Sequence, residues 1–124
     1  MSTFHINSTD NTPEVTLDLQ KQKLIIKGVC APENPKEFFK PIQQEFEASK
    51  SLLTNLEVNI FLEYFNTGSS KCLLNLFLLI INKEISTIKY EFNWFVEDGD
   101  EELMESGQIF EELIGIKFNY KSTK

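Results

Sequence analysis

Hydroxyl and amide side chains cluster at residues 66–71, where the sequence reads Asn-Thr-Gly-Ser-Ser-Lys. A strongly alternating segment precedes this cluster and an almost entirely apolar one follows it, so the cluster is predicted to lie where a strand leads into a helix. The first N–H groups of a helix have no partner within the helix, and the helix dipole makes the local potential positive. These features favour a bound phosphate group. The spacing alone favours the simpler interpretation that Asn66, Thr67 or Ser69 caps the helix.

The rest of the sequence contains few of the residue combinations that catalytic and metal sites need. His5 is the only histidine and lies in a polar segment, which leaves little for a histidine-based triad or metal centre. Residues 66–71 lack the spacing of a phosphate-binding loop. The acidic run at residues 98–102 lacks the ligand pattern of a calcium loop and is typical of a solvated helix start. We therefore expect no catalytic residue, no metal and no cofactor.

Composition and charge restrict the partners and the compartment. The chain has 124 residues, which suits one domain, and a net charge of −7, which disfavours nucleic acid and anionic membranes. The N-terminus lacks the apolar segment of a secretory signal, and the longest apolar run, from Cys72 to Ile81, is too short to span a bilayer. Cys30 and Cys72 have no metal or redox spacing. These features predict a cytoplasmic protein with free thiols.

Hydrophobic periodicity predicts an α/β fold. Residues 1–13 are rich in Ser, Thr and Asn and are predicted to form a polar N-terminal arm, with residues 14–121 as a single domain. Alternation predicts strands near residues 15–19, 24–26, 56–64, 88–96 and 116–120, the first two forming a hairpin that ends at Gly28. Three helices fall between the later strands. The predicted order is ββαβαβαβ, with a mixed β-sheet and right-handed crossovers.

The first predicted helix has a clear start signal and an internal conflict. Asn34 before Pro35 fits an N-cap followed by a proline at the first helical position. One face carries apolar residues at helical spacing, namely Phe38, Phe39, Ile42 and Phe46. Pro41 cannot lie deep in a regular helix without loss of a hydrogen bond. It predicts either a later start near Lys40 or an irregular first turn.

The other two helices and the central strands supply the predicted core. A helix from about Ser69 to Lys83 has a core face of Leu73, Phe77, Ile80 and Ile81. Leu74 and Leu78 widen its apolar surface, so this helix is either covered on both sides by the fold, which we favour, or meets a partner. A helix after the acidic run carries Leu103, Met104, Phe110 and Leu113. The strand residues predicted to be buried are Leu56, Val58, Ile60, Leu62, Phe92 and Trp94.

Four stretches of the chain, taken in order, resemble the SiaC family of bacterial regulatory phosphoproteins. They read INSTDNTPEVTLD, KLIIKGVCAPENPKEFFKPI, LEYFNTGSSKCLLNLF and FNWFVEDGDEELMESGQIFEEL, and they cover most of the chain from Ile6 to about Phe118. The order of PENP, then YFNT and SSK separated by one residue, then DEELMESG is specific to the family. Each of these motifs alone is a weak signal.

The resemblance implies a switch protein rather than an enzyme, with a fold similar to anti-sigma-factor antagonists of the STAS type. In the family, a partner kinase phosphorylates the threonine of this motif, here Thr67, and a PP2C-like phosphatase reverses the modification. The unmodified form binds a diguanylate cyclase and promotes cyclic-di-GMP synthesis. Gly68 stands where the family usually has a serine. The expected partner contacts are Pro32, Glu33, Asn34, Asn66, Thr67, Gly68, Ser69, Ser70 and Lys71.

Two other functions remain open at this point. The chain would be a constitutive structural subunit if the apolar segment from Cys72 to Ile81 docks permanently, which predicts a large exposed apolar patch. Carboxylates are plentiful, so the sequence also leaves open a small hydrolase with a paired-carboxylate site in a concave pocket. If Thr67 is a regulatory acceptor, its hydroxyl must be accessible to solvent.

Overall fold

A six-stranded sheet with three α-helices forms the part of the chain that the structure, a computed structural model, describes: residues 3–82 and 88–123. The strands are β1 (Thr3–Ile6), β2 (Glu14–Asp18), β3 (Lys23–Cys30), β4 (Asn55–Phe65), β5 (Lys89–Val96) and β6 (Asn119–Ser122). The helices are α1 (Pro35–Ser49), α2 (Thr67–Ile81) and α3 (Glu101–Ile114). The predicted single α/β domain with a mixed sheet and about three helices is confirmed.

The strands lie in the sheet in the same order as in the chain. β1, β2 and β3 are antiparallel, whereas β3, β4, β5 and β6 are parallel. Each parallel step contains one helix, and α2 contacts both α1 and α3. Because right-handed crossovers that progress in one direction place their helices on the same side, all three helices cover one face of the sheet. The other face carries no described helix.

The N-terminal segment is not the loose arm that its composition predicts. Thr3–Ile6 pairs antiparallel with β2 and forms the edge strand β1. His5 Nε2 lies 2.8 Å from Glu14 Oε2 across this pair. Phe4 and Ile6 are partly buried against the core. The strand has only four residues and two of its side chains are exposed, so its hydrophobic alternation is too short to be recognised.

Aromatic rings fill the space between the sheet and its helices. The six strand residues predicted to be buried are all in the core, as is most of the predicted α2 face. Phe92 and Phe118 stack with ring centroids 5.5 Å apart, and Phe77 meets Phe92 edge-on at 5.3 Å. Trp94, which is 1% exposed, also stacks on Phe118, with ring centroids 5.7 Å apart. Such packing binds β5, β6 and α2 into one core.

Helix α1 begins at the predicted cap and continues through its proline. Asn34 Oδ1 accepts a hydrogen bond from Glu37 N at 3.2 Å, and Pro35 occupies the first helical position. The helix does not start at Lys40. Pro41 lies on the exposed side, so the carbonyl that loses its helical donor there faces solvent. Phe39, Ile42 and Phe46 are buried as predicted, and Phe38 is half-buried.

The helix-free face of the sheet carries a row of three asparagines. Asn93 Nδ2 donates to Asn59 Oδ1 at 2.8 Å, and Asn119 Nδ2 donates to Asn93 Oδ1 at 3.1 Å. Next to this row, Phe61 and Phe95 stack with centroids 3.9 Å apart. The amides therefore bond to one another across β4, β5 and β6.

None of the described helices has the length and apolar character that a membrane crossing requires.

Candidate functional site at the start of helix α2

Asn66 sets the position at which β4 gives way to α2. Its backbone is extended, and its Oδ1 accepts a hydrogen bond from Ser69 N at 2.8 Å. Ser70 N donates to Asn66 O at 3.0 Å, and Asn66 N donates to Cys30 O at 3.2 Å, which ties the turn to the end of β3. Of the three predicted capping candidates, Asn66 is therefore the N-cap. The helix begins at Thr67, two residues before the predicted start.

Thr67 is exposed and is the first residue of α2. Its carbonyl accepts a hydrogen bond from Ser70 Oγ at 2.7 Å, whereas its own hydroxyl bonds to no described residue. The cap uses the N–H of Ser69, so the N–H groups of Thr67 and Gly68 remain the unpaired donors of the first turn. An accessible hydroxyl thus stands beside free donors at the positive end of a helix.

The structure separates the predicted partner-contact residues into exposed and buried sets. Exposed or half-buried are Glu33, Asn34, Asn66, Thr67, Gly68, Ser70 and Lys71. Pro32 and Ser69 are buried. These two side chains therefore offer little surface in the chain as it is folded, and their contact with a partner stays a prediction.

The PENP and NTGSSK motifs meet at the exposed end of the two helices. A Cβ on Gly68 would lie 3.0 Å from Pro35 Cγ, which is tighter than ordinary van der Waals contact. The glycine therefore lets the α2 start approach the first residue of α1. A serine at this position would require Pro35 to move by a few tenths of an ångström.

Ser69 and both cysteines are buried next to one another near the start of α2. Ser69 Oγ is buried with no conventional hydrogen-bond partner among the described residues. Burial raises the pKa of Cys30 to about 11, while the neighbouring Ser69 hydroxyl lowers it and Cys72 raises it. Burial also raises the pKa of Cys72, against the opposing effect of Lys36. Both cysteines are free in the structure, and their raised pKa values keep the thiols neutral at neutral pH.

An apolar groove, here called the α2–α3 groove, begins at Ser70 and Lys71, one helical turn after Thr67. Its cavity measures about 290 Å³. It is lined by Phe65, Ser70, Lys71, Leu74, Ser106, Ile109, Phe110 and Leu113. Ile109 and Leu113 are 57% and 60% exposed, and because they lie in one groove they form part of a contiguous exposed apolar patch.

Sequence reasoning missed the α3 wall of this groove. The apolar pattern of α3 predicts Leu113 together with Leu103, Met104 and Phe110, and it does not single out Ile109. Leu103, Phe110 and Ile114 form the buried face. Ile109 and Leu113 are four residues apart and out of phase with that face. This second apolar stripe is the signal that could have identified the groove.

Helix α3 is fixed against the sheet by hydrogen bonds to side chains. Trp94 Nε1 donates to Leu103 O at 3.0 Å. One Glu111 oxygen accepts from Phe118 N at 2.7 Å, and the other accepts a short hydrogen bond from the Tyr120 hydroxyl. Burial, this hydrogen bond and the carboxylate charge all raise the pKa of Tyr120. Glu111 therefore has a structural role, and the groove wall is held in place.

Metal-ligating residues do not converge within the described ranges. No group of three or more His, Cys, Asp or Glu side chains there is arranged to hold an ion.

Comparison with known proteins places this chain in a family. The model of the SiaC family of regulatory phosphoproteins matches residues 6–123. An uncharacterized protein of Pseudomonas aeruginosa strain UCBPP-PA14 is 28% identical over 122 residues, which cover 95% of this chain and 94% of that protein.

Solved structures agree with this family match. Apo-SiaC from P. aeruginosa has a TM-score of 0.79 and 25% identity, with 100% of both chains covered. A chain in the complex of the diguanylate cyclase SiaD with its activator SiaC, from the same organism, has a TM-score of 0.83 and 25% identity, with 96% of this chain and 98% of that chain covered. Because the family model matches nearly the whole sequence, this chain belongs to the SiaC family of regulatory phosphoproteins.

Proposed function

We propose that the unmodified chain binds and activates a diguanylate cyclase, and that phosphorylation of Thr67 blocks this binding. The observation that carries the proposal is the exposed Thr67 hydroxyl at the first helical position, one helical turn before Ser70 and Lys71, which line the apolar α2–α3 groove. The solved complex of SiaD with its activator SiaC supports the choice of a cyclase as partner. Family membership makes the chain a regulatory protein and not an enzyme.

A phosphate on Thr67 can be accommodated without loss of the fold. It adds a charge of about −1.5 to −2 and strong acceptor oxygens. The unpaired N–H groups of Thr67 and Gly68 and the ammonium of Lys71, one turn along the helix, are suitable local donors. The proposed switch therefore acts on the interface and leaves the domain folded.

A partner packed over Asn66 to Lys71 would not tolerate the same group. Enclosing a dianion in an interface removes its hydration, and the local donors replace only part of it. The lost affinity would appear mainly as faster dissociation.

The proposed cycle needs two further partners. A protein kinase would add the phosphate and a PP2C-like phosphatase would remove it. Exposure of Thr67 at the start of α2 gives both enzymes access without unfolding.

We assign the regulatory domain to residues 14–121 together with β1. We expect it to act in the cytoplasm, where the nucleotide substrates of a cyclase are found.

Calorimetric titration of the cyclase tests the proposal with three forms of the chain: unmodified, phosphorylated at Thr67, and Thr67→Ala. We expect the unmodified and Thr67→Ala forms to bind with similar affinity, and the phosphorylated form to bind at least about tenfold more weakly. Thr123→Ala, at an exposed threonine near the C-terminus, is the matched control and should still be phosphorylated. Equal affinity of the phosphorylated and unmodified forms would contradict the proposal.

The constitutive-subunit alternative shares one observation with this proposal. It requires an exposed apolar surface on α2, and Leu78 is 40% exposed there. The two functions differ in their response to modification, because a permanent subunit should bind equally well before and after phosphorylation. The same titration therefore separates them.

A further inference from the structure

We propose that the helix-free face of the sheet is the interface of a symmetric dimer, in which a second copy of this chain covers it. The lysines that β3 carries on this face then lie over β5 of the other copy. This inference goes beyond the regulatory function proposed above and does not depend on it.

The parallel part of the sheet has one face without a covering layer. Strands β3, β4, β5 and β6 are parallel to one another. Sheets of parallel strands usually have both faces covered, because their connecting helices pack on both sides. All three helices of the described residues lie on one side here. The opposite side of these four strands is therefore a surface on which a further layer is expected.

The side chains at the centre of this face are suited to a dry interface. Phe61 and Phe95 are half-buried and stack on each other, and Ile25 on β3 is half-buried beside Asn59. Asn59 and Asn93 are 7% and 1% exposed, and their amides already bond to each other and to neighbouring side chains. Covering this centre would bury aromatic surface and leave those two amides paired.

The charged side chains of the face are divided between its strands. The register places Lys23 and Lys27 of β3 on this face, together with Glu57 of β4 and Glu91 of β5. Lys23 Nζ lies 3.8 Å from Glu57 Oε2, and Asn93 Nδ2 donates to Glu91 Oε2 at 3.3 Å. The basic strand and an acidic strand thus lie on either side of β4. A face divided in this way is complementary to a second copy of itself.

A two-fold axis along β4 brings the opposite charges together. Rotation about such an axis keeps each residue at its height along the strands, so β3 of one copy lies over β5 of the other in the same row. Lys23 then faces Glu91 of the second copy, and Lys27 faces the ring of its Phe95. Phe61 meets its own copy on the axis. The ammonium of Lys27 already lies 5.7 Å from the centre of the Phe61 ring, so it is placed for a contact of this kind.

The same charges disfavour the other simple arrangement. Sheets that pack face to face in the aligned class keep their strand directions within about 30° of each other. A two-fold axis across the strands also satisfies this condition, but it sets β3 over β3. Lys23 of one copy would then face Lys27 of the other, and the like charges would repel.

The dimer leaves the start of α2 accessible in both copies. Thr67 belongs to a helix on the other side of the sheet, so the second copy does not cover it. Dimerisation therefore makes the regulator bivalent. It also predicts that phosphorylation of Thr67 leaves the association of the two copies unchanged.

Analytical ultracentrifugation of the unmodified chain tests for the dimer. The net charge of −7 on each chain opposes association. At a salt concentration of about 0.15 M this overall repulsion is screened beyond about 8 Å, whereas direct contacts are screened much less. We expect the mass to rise from that of one chain towards that of two between about 5 and about 500 µM protein. A mass of one chain over the whole range would overturn the proposal.

Charge exchange tests the interface and the position of its axis. Lys23→Glu alone, or Glu91→Lys alone, should raise the dissociation constant at least about tenfold, because each dimer contains this pair twice. The double variant should restore association, and an equal mixture of the two single variants should form mixed dimers. Lys40→Glu and Glu47→Lys, at exposed positions of α1, are the matched controls and should stay within about twofold of the parent.

Nuclear magnetic resonance of the unmodified chain gives the same test without a substitution, which matters if a variant fails to fold by circular dichroism. Amide signals of β3, β4 and β5 should shift with protein concentration, whereas those of α1 should not. A dimer that the face variants and the α1 controls affect equally would place the contact elsewhere and overturn the proposal. So would a dimer that phosphorylation of Thr67 dissociates. The cyclase titration described above decides the proposed function separately.

Discussion

At the scale of single residues, the N-cap Asn66 fixes the position of Thr67 at the start of α2. Its amide takes the N–H of Ser69 and begins the helix at Thr67, so the threonine is the first helical residue and points outward. Sequence reasoning identified the cluster correctly, because hydroxyl and amide side chains before an apolar helix are a strong start signal. It misplaced the start by two residues, because Thr and Gly are weak helix formers and only the hydrogen bond of the cap settles the position.

Cys30 predicts a pH dependence of stability. Its pKa is about 11 in the folded chain and 9.0 without the fold, so the folded state holds the proton more tightly. Stability from this group is therefore complete below pH 9 and is lost progressively as the pH rises to 11, by about 3 kcal/mol in all.

Urea unfolding at several pH values checks this dependence. Tyr120 and Cys72 also have raised pKa values, so the informative quantity is the difference between the chain and its Cys30→Ala variant. The variant should lose less stability between pH 8 and pH 11. Val15→Ala, which empties a buried site without removing a titratable group, is the control and should keep the original slope. Identical slopes for all three proteins would refute the assignment to Cys30.

At the scale of elements, α3 matters because it forms one wall of the groove and cannot move freely. Trp94 and Tyr120 hold it from the sheet side, through hydrogen bonds to Leu103 O and to the Glu111 carboxylate of the helix. Its apolar residues were predicted as one set, but they divide into a buried face and an exposed stripe. The composition of a helix does not reveal which apolar residues a sheet will cover, since that depends on the angle at which the helix packs. The exposed wall of the site therefore could not be predicted from α3 alone.

Gly107 allows α3 to approach the sheet closely. A Cβ at this position would lie 2.8 Å from Trp94 ring atoms and 2.9 Å from Tyr120 Cε1. Gly107→Ala should therefore lower the free energy of unfolding by about 1 kcal/mol or more, because overpacking outweighs the helix preference of alanine. Urea titration measures the change. Gln108→Ala, at the exposed neighbour, should differ from the parent by less than about 0.5 kcal/mol. A Gly107→Ala protein as stable as its parent would show that the rings can move aside.

At the scale of the whole molecule, one sheet face carries the helices and the candidate site, and the other carries polar and aromatic side chains. The alternating segments that became β4 and β5 were predicted well, because long strands with one buried face give a clear period of two. β1 was missed because an edge strand of four residues gains its order from pairing with β2, a long-range interaction that local sequence does not record. The proposed likeness to the STAS fold stays a prediction.

The single core predicts that the domain unfolds in one step. Trp94 is the only tryptophan and lies among Phe65, Phe110 and Phe118, so its fluorescence reports on the centre of the fold. Fluorescence and far-ultraviolet circular dichroism should give coincident urea transitions. Phosphorylation of Thr67 should leave the midpoint almost unchanged, since the modified group lies outside the core. Two separated transitions, or a large shift on phosphorylation, would contradict this view.

The asparagine row on the helix-free face has a consequence for how the parallel strands find their partners. A slip of β5 against β4 by two residues would still turn apolar side chains inward, so hydrophobic burial distinguishes such a slip only weakly. In the native alignment Asn59 faces Asn93, and Asn93 faces Asn119. The slip would place Asn59 opposite Glu91 or Phe95. The buried amides of Asn59 and Asn93 would then lose the hydrogen bond that joins them. The hydrogen bonds among the three amides therefore favour the native register of β4, β5 and β6 over shifted registers, which would bury apolar side chains almost equally well.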